Sequence, residues 1–269
     1  MPSLNAAACA ALAGELTRIA TDAAKIVLAL GKAAGLRRKD DGSPVTAADE
    51  AAEAAICDAL HRFAPDLPVI SEEQAARGKP KPIAQGSYFL VDPLDGTREF
   101  IAGRDEYTIN IALLTDGVPM LGVICAPALG VIWRGTLGYG AERLAIDAAG
   151  ATGPAEKIHT RKRPDRDFVV LVSRSHLEAR TKAYVDRLAR AKLVACGSSL
   201  KFCRLAEGSA DIYPRLAPTH DWDIAAGHAL LVAAGGSVAT PDGGKVRYGT
   251  PELLVPDFIA LADARSVTG

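Results

Sequence analysis

Tyr88-Phe89-Leu90-Val91-Asp92-Pro93-Leu94-Asp95-Gly96-Thr97 is the stretch from which the rest of the chain is best read. Its first four residues are continuously apolar, the pattern of a short buried strand. The strand is expected to stop at Asp92: Pro93 removes a backbone donor and bends the chain, and Asp95 brings back a second carboxylate close to the first. Carboxylates held that close repel each other, which favours a cation between them. If Gly96 and Thr97 open a short helix, their N–H groups form a positive nest suited to phosphate. Hard oxygen ligands beside an anion cradle suit Mg²⁺ bridging protein and phosphate. Asp, Pro and Gly are equally the residues of a surface turn, so on this stretch alone both readings stand.

Working outward, two more acidic segments bear on the choice. Ser71-Glu72-Glu73 reads as an acidic turn closing the apolar piece 68–70, and Asp221-Trp222-Asp223 leads into a helix expected over 223–234. Asp49 falls in the first turn of another helix, which Thr46 caps and which runs to about Phe63. Singly, Asp223 fits a helix cap and Glu72 a solvated loop. Carboxylates offered from three separate segments at element ends argue together for a metal site.

Residues 4–35 read as one or two helices, with Leu12, Leu16, Ile19, Ile26, Val27 and Leu30 at helical spacing and Gly35 as the stop. The polar run 37–45 reads as a loop and 78–86 as a mobile one. Strands over 107–114, 120–126 and 129–135, separated by Asp-Gly and Pro-containing turns, suggest an antiparallel sheet. Beyond about 150 the pattern changes to strand 168–173, helix 177–190, strand 192–196 and helix 199–208, the alternation of an α/β half. The expected division is an N-terminal α+β unit over 1–150 with most of the metal ligands, and a C-terminal α/β unit over 151–269 with Asp223 and the substrate-side residues.

The chain has 269 residues and balances 31 Lys and Arg against 32 Asp and Glu; 49% of it is hydrophobic and only 5% aromatic. That profile argues against long disorder and against a nucleic-acid polymer as partner. Five cysteines, odd in number and without a CxxC pair, read as reduced core thiols in a cytosolic compartment. The N-terminus lacks the basic start of a secretory leader, and no apolar run reaches the length of a membrane span. There is no G-x-S-x-G elbow, H-E-x-x-H pair, complete Walker A or full G-x-G-x-x-G; Gly138-Tyr139-Gly140 reads as a strand turn, and the histidines show no ligand spacing for zinc.

Glu72-Glu73, the 92–97 motif and Trp222-Asp223 with the glycines after it resemble the signatures of the lithium-sensitive, Mg²⁺-dependent inositol monophosphatase superfamily. Within it, Asp41-Gly42-Ser43-Pro44-Val45-Thr46-Ala47-Ala48-Asp49, Ser71-Glu72-Glu73, Gly96-Thr97-Arg98-Glu99-Phe100-Ile101 and Gly197-Ser198-Ser199-Leu200-Lys201-Phe202 resemble the 3′(2′),5′-bisphosphate nucleotidases of the CysQ type. The resemblance implies a layered αβαβα sandwich and an enzyme, a phosphoric monoester hydrolase with two or three Mg²⁺ per site. By position, Glu72, Asp92 and the Leu94 carbonyl would hold one ion and Asp92, Asp95 and Asp223 another. Asp49, Thr97 and Glu72 are the implied catalytic residues, Thr97 hydrogen-bonded to Asp49 so as to orient a water. Gly96 and Thr97 would cradle the phosphate, with Asp223 beside it. Ser198, Ser199 and Lys201 would line the nucleotide side, Arg215 would meet a remaining 5′-phosphate and His176 would border the base.

The implied reaction removes the 3′-phosphate of adenosine 3′,5′-bisphosphate, giving AMP and phosphate, in sulfate assimilation. Hydrolysis of inositol 1-phosphate or fructose 1,6-bisphosphate, or a catalytically silent nucleotide-binding module, are the alternatives. A small phosphorylated nucleotide is the expected partner, the chain a monomer or homodimer, and the compartment the cytoplasm, free or peripheral at the inner membrane. Two departures stand out: Asp221 where these nucleotidases usually have Glu, and Arg98 in place of the commoner Lys.

Overall fold

The computed structural model describes residues 4–31, 35–39, 42, 44–78, 83, 85–147, 149–175 and 177–263. Helix α1 (Ala6–Leu30) starts at Asn5, whose side-chain oxygen accepts from the Ala8 amide, and ends at Gly31 with φ of 66°. The stop thus comes before Gly35, because the first glycine after the apolar stripe already takes the positive φ that closes a helix. Part of the run expected as a loop pairs instead, β1 (Arg37–Arg38) lying antiparallel to β2 (Pro44–Val45). Helix α2 (Ala47–Phe63) begins as expected at Thr46, whose hydroxyl accepts from the Ala48 amide while Asp49 accepts from the Thr46 amide.

After β3 (Val69–Ser71), the expected acidic turn is the first turn of a short helix, α3 (Glu72–Arg77). Glu53 of α2 caps it, one carboxylate oxygen accepting from the Glu73 and Gln74 amides at 2.9 and 3.1 Å. Most of the loop expected over 78–86 lies outside the described residues. Strand β4 (Ser87–Asp95) does not stop at Asp92. It continues through Pro93 because its pairing skips from Asp92 to Asp95, and the irregularity spares the strand the amide that proline lacks.

The chain continues through α4 (Thr97–Ile101), β5 (Thr108–Thr115), β6 (Val118–Ala126), β7 (Val131–Thr136), β8 (Gly140–Ala145) and β9 (Glu156–Ile158). Leu129, expected at a strand start, belongs to a 3₁₀ turn at Pro127–Leu129. The seven strands β3 to β9 form one sheet in sequence order, antiparallel except for the parallel pair β3 and β4. This sheet runs past residue 150 to include β9.

Next come β10 (Val169–Ser173), α5 (Ala179–Val185), β11 (Lys192–Cys196), α6 (Leu200–Ala206), β12 (Ile212–Arg215) and β13 (Thr219–His220). They are followed by α7 (Asp221–Ala233), β14 (Ser237–Ala239), β15 (Leu254–Val255) and β16 (Phe258–Leu261). Helix α5 is half the expected length; the chain leaves it through turns, with Arg190 at φ of 66°, to return to β11. A five-stranded mixed sheet has the order β11-β10-β12-β16-β14, and β13 pairs separately with β15.

The packing gives five layers. Alternate residues of β4 face opposite ways, Phe89 and Val91 onto α1 and α2, Leu90 towards α6 and α7. The α6–α7 layer is shared: Phe202, Leu205 and Leu230 join Leu90, Ile124 and Trp133 of the first sheet to Leu171, Tyr213 and Phe258 of the second. On the far face of the second sheet, Val170, Val172 and Ile212 pack on Val185 of α5. The order is therefore helix, sheet, helix, sheet, helix, an α+β sandwich of the expected kind.

Close approach of α7 to the first sheet decides where its N-terminus lies. A Cβ at Gly122 of β6 would fall 2.1 Å from the Ala226 carbonyl oxygen, and one at Gly135 of β7 would fall 2.7 Å from the Leu230 Cα. On the other side, a Cβ at Gly227 would fall 2.2 Å from the Phe202 ring. Three glycines thus let α7 sit between sheet and helix at backbone contact distance, delivering Asp221-Trp222-Asp223 to the end of β4.

Candidate active site

The C-terminal end of β4, the starts of α3 and α7, and the turn between β11 and α6 open onto one cavity of about 890 Å³. Glu72, Asp95, Gly96, Thr97, Ser198, Ser199, Lys201, Arg215 and Asp223 line it. Asp92, 1% exposed, and Asp49, 2% exposed, form the wall behind. His176 lies outside the described residues.

The β4 end turns because Gly96 adopts φ of 91°, conformationally cheap only for glycine, and Thr97 then starts α4. Thr97 Oγ1 lies 3.0 Å from Asp49 Oδ1 and 3.1 Å from the Leu94 carbonyl. The other Asp49 oxygen accepts from the amide and the hydroxyl of Thr46 at 2.8 and 2.5 Å. Burial raises the Asp49 carboxyl above its ordinary value, and the bonds from Thr46 and Thr97 oppose that rise. Asp49 is thereby a fixed acceptor, and a Thr97 hydroxyl that donates to it keeps its lone pairs for a further donor.

Four carboxylates gather around the β4 end. Asp92 has one amide donor, from Leu94 at 3.0 Å; burial first, and then Glu72, Asp95 and Asp223, push its pKa well up. Burial likewise pushes Glu72 up to about 7 and Asp95 up to about 6, the charge of Asp223 adding to both. Each has recruited an internal donor. Lys39 Nζ sits 2.6 Å from both Glu72 and Glu73; Ser199 Oγ lies 2.9 Å from Asp95; Thr219 and the His220 amide bond Asp223. Among the described residues no three side chains of the metal-ligating types stand around one point as a finished cage. The set nevertheless fits a hard divalent ion: oxygen donors only, from three elements, mutually repelling and buried, a combination that a cation relieves.

Opposite Thr97, the wall is cationic. Lys201, expected on the nucleotide side, is 3% exposed, and its ammonium donates to the carbonyls of Cys196 and Ser198 at 3.2 and 2.6 Å. The ammonium also lies 5.0 Å from the centre of the Tyr213 ring, a cation–π contact. Arg215 places one guanidinium nitrogen near the Pro218 carbonyl, while its buried Nε has no partner. Ser199 faces the carboxylates rather than open space, accepting from Asn110 at 2.9 Å and lying 2.8 Å from the Asp223 carbonyl. Ser198, at φ of 46°, leaves its side chain at the cavity. Asp221 turns inward: it is fully buried and accepts from a nearby donor, the Gly249 amide, at 2.7 Å.

Sequence reasoning missed Lys39, Asn110 and Thr219. Asn110 sits on β5 directly opposite Asp92, a cross-strand relation visible only once register is known. Lys39 lies in a polar run whose side chains carry no periodic signal.

The chain belongs to the inositol monophosphatase family, whose model matches residues 3–266, and the class so defined is a phosphatase acting on phosphomonoesters. It is 42% identical over 249 residues to the 3′(2′),5′-bisphosphate nucleotidase CysQ of Shigella flexneri, an alignment covering 91% of this chain and 96% of that protein. The crystal structure of CysQ from Bacteroides thetaiotaomicron, a bacterial member of the family, superposes with a TM-score of 0.75 at 35% identity, covering 90% of this chain and 94% of that one. An inositol monophosphatase of Thermotoga maritima shares the fold, with a TM-score of 0.77 at 22% identity over 93% of this chain and 92% of its own. No helix among the described residues is long and apolar enough to cross a membrane, and all five cysteines are free and buried.

Proposed function

We propose that this phosphatase hydrolyses the 3′-phosphate of adenosine 3′,5′-bisphosphate to AMP and phosphate with Mg²⁺, a reaction serving sulfur assimilation. The observation that carries the reading is Arg215, a guanidinium in the cavity wall near Asp95 and Asp223 that Tyr213 and the Pro218 carbonyl satisfy only in part, its buried Nε being unpaired. A guanidinium left in that state calls for an anion, and a planar fork suits phosphate oxygens. A substrate with two phosphates supplies one at Gly96 and Thr97 and another at Arg215. The nucleotidase relatives, at 42% identity, support the same choice.

Glu72, Asp92, Asp95, Asp223 and the Leu94 carbonyl are the groups that would hold Mg²⁺. When bound, the metal supplies positive charge to the phosphoryl oxygens and acidifies a water. The chain's own part is positioning and proton transfer. Asp49 fixes the Thr97 hydroxyl, so that as the attacking water gives a proton to Thr97 Oγ1 the hydroxyl's own proton passes to Asp49 Oδ1, which ends the step as a carboxylic acid. The Gly96 and Thr97 amides, at the start of α4, face the phosphate. Lys201 and Arg215 hold the nucleotide side, and Ser199 keeps Asp95 against the first turn of α7.

The test is to replace Lys201 and Arg215 by Met and to compare substrates. KM for adenosine 3′,5′-bisphosphate should rise at least about tenfold, or about 1.4 kcal/mol, and KM for inositol 1-phosphate should stay within about threefold. Equal losses on both substrates would remove the nucleotide assignment.

A further inference from the structure

Glu106, in the connection between α4 and β5, takes no part in the chemistry above, yet three segments of the site meet on it. Its carboxylate makes a two-pronged pair with Arg174, with Nε at 2.6 Å and Nη2 at 2.8 Å, and the same Oε2 accepts from the Gly197 amide at 3.0 Å. Arg174 Nη2 also donates to the Ala195 carbonyl at 2.8 Å, so the pair grips β11 just where it gives way to α6. The Glu106 backbone is wedged between two glycines. A Cβ at Gly96 would lie 3.0 Å from the Glu106 carbonyl oxygen, and one at Gly197 only 2.7 Å from it. The Cβ at Gly96 would also lie 3.4 Å from the Ser198 Cβ, so the phosphate-facing turn and the 197–199 turn touch through positions that only glycine fills.

The 197–199 turn is under strain of its own: Ser198 holds φ of 46°, a conformation L residues seldom adopt. Lys201 stitches it from behind through the Cys196 and Ser198 carbonyls. Next to Arg174, Ser175 bonds the buried Glu99 of α4, a second tie between the second sheet and the helix that follows the phosphate-facing turn. Arg174, the dominant influence on Glu106, keeps its carboxyl below the ordinary range, so the pair stays ionised at neutral pH.

We propose that Glu106 and Arg174 are a positioning pair that pins the 197–199 turn against the Gly96–Thr97 turn and so sets affinity for the part of the substrate beyond the reacting phosphate. The proposal rests on the reading that this turn meets the nucleotide side. Neither residue touches the reacting atoms: their effect passes through the backbone of Gly197 and Ser198, and it belongs in KM rather than kcat.

The experiment combines hydrogen exchange over 197–199 with kinetics for Glu106→Ala, Arg174→Ala, the double variant and Glu106→Gln. Exchange in that segment should quicken about tenfold in both alanine variants, with the rest of the chain unchanged. KM for adenosine 3′,5′-bisphosphate should rise about tenfold with kcat within about twofold, while a phenyl phosphate, too small to reach the turn, keeps its KM. The double variant should be no worse than either single, and Glu106→Gln, which retains an oxygen for the Gly197 amide, should recover most of the affinity. Unchanged exchange overturns the pinning. Faster exchange without a KM effect, or a kcat loss shared by both substrates, overturns the role in affinity. If the wild-type enzyme prefers another phosphomonoester, the nucleotide reading fails, and the exchange and the KM for that preferred substrate decide the pair.

Discussion

At the level of single side chains, the proposed reaction assigns the chemical step to Thr97 and Asp49, which are hydrogen-bonded to each other. The Thr46 cap takes one Asp49 oxygen and leaves the other for Thr97, so a helix-capping device also anchors the Thr97 hydroxyl. Thr97→Ala should lower kcat by about 10²–10³-fold with KM within a few-fold, and Thr97→Ser should stay within about tenfold of wild type. A steady-state comparison checks this, and a kcat for the alanine variant close to wild type would remove Thr97 from the proton path. The carboxylates at 72, 92, 95 and 223 and the Thr97–Asp49 pair were legible as residue types in motifs. Lys39, Asn110 and Thr219 were not, since each reaches the cluster from a partner strand or a neighbouring turn. Asp221 shows the limit from the other side: a residue in a motif that the fold turns to the Gly249 amide.

Element by element, apolar periodicity found most helices and strands, and their ends were set by interactions that periodicity does not carry. Gly31 closes α1 early, Glu53 turns an acidic stretch into α3, and a break in register lets β4 pass Pro93. The placement of α7 depends on absent side chains. Gly122→Ala would drive a methyl into the Ala226 carbonyl. Overpacking of that kind costs about 1–3 kcal/mol. Urea unfolding should show that loss, together with a kcat decrease as Asp223 shifts away from Asp95. Unaltered stability would mean that the helix is free to retreat from the sheet.

For the whole molecule, the five-layer order was legible only through the family resemblance. Strand and helix patterns alone suggested an antiparallel first half and an α/β second half, and gave no sign that α6 and α7 are shared between both sheets. That shared layer contains His228, whose Nδ1 lies 2.8 Å from the Tyr248 hydroxyl and whose pKa burial pushes down to about 4. The unfolded chain takes up this proton near 6.5, the fold only near 4, so the imidazole's share of stability is complete above 6.5 and is lost as the pH falls from there to 4. The loss is about 3 kcal/mol. Glu72 and Asp95, with raised values, act in the opposite sense, so the difference between wild type and His228→Gln isolates the imidazole. Between pH 7.5 and 4.5 wild type should lose about 2–3 kcal/mol relative to the variant by urea unfolding, and a pH-independent gap would contradict this account.

Substrate and metal are tested together. Phosphate release should be measured from adenosine 3′,5′-bisphosphate, inositol 1-phosphate and fructose 1,6-bisphosphate, each with Mg²⁺ and again with EDTA. Turnover that requires Mg²⁺ and favours the nucleotide by at least about tenfold in kcat/KM, or about 1.4 kcal/mol, is the predicted result. Turnover that survives EDTA, or that is led by a sugar phosphate, would contradict it.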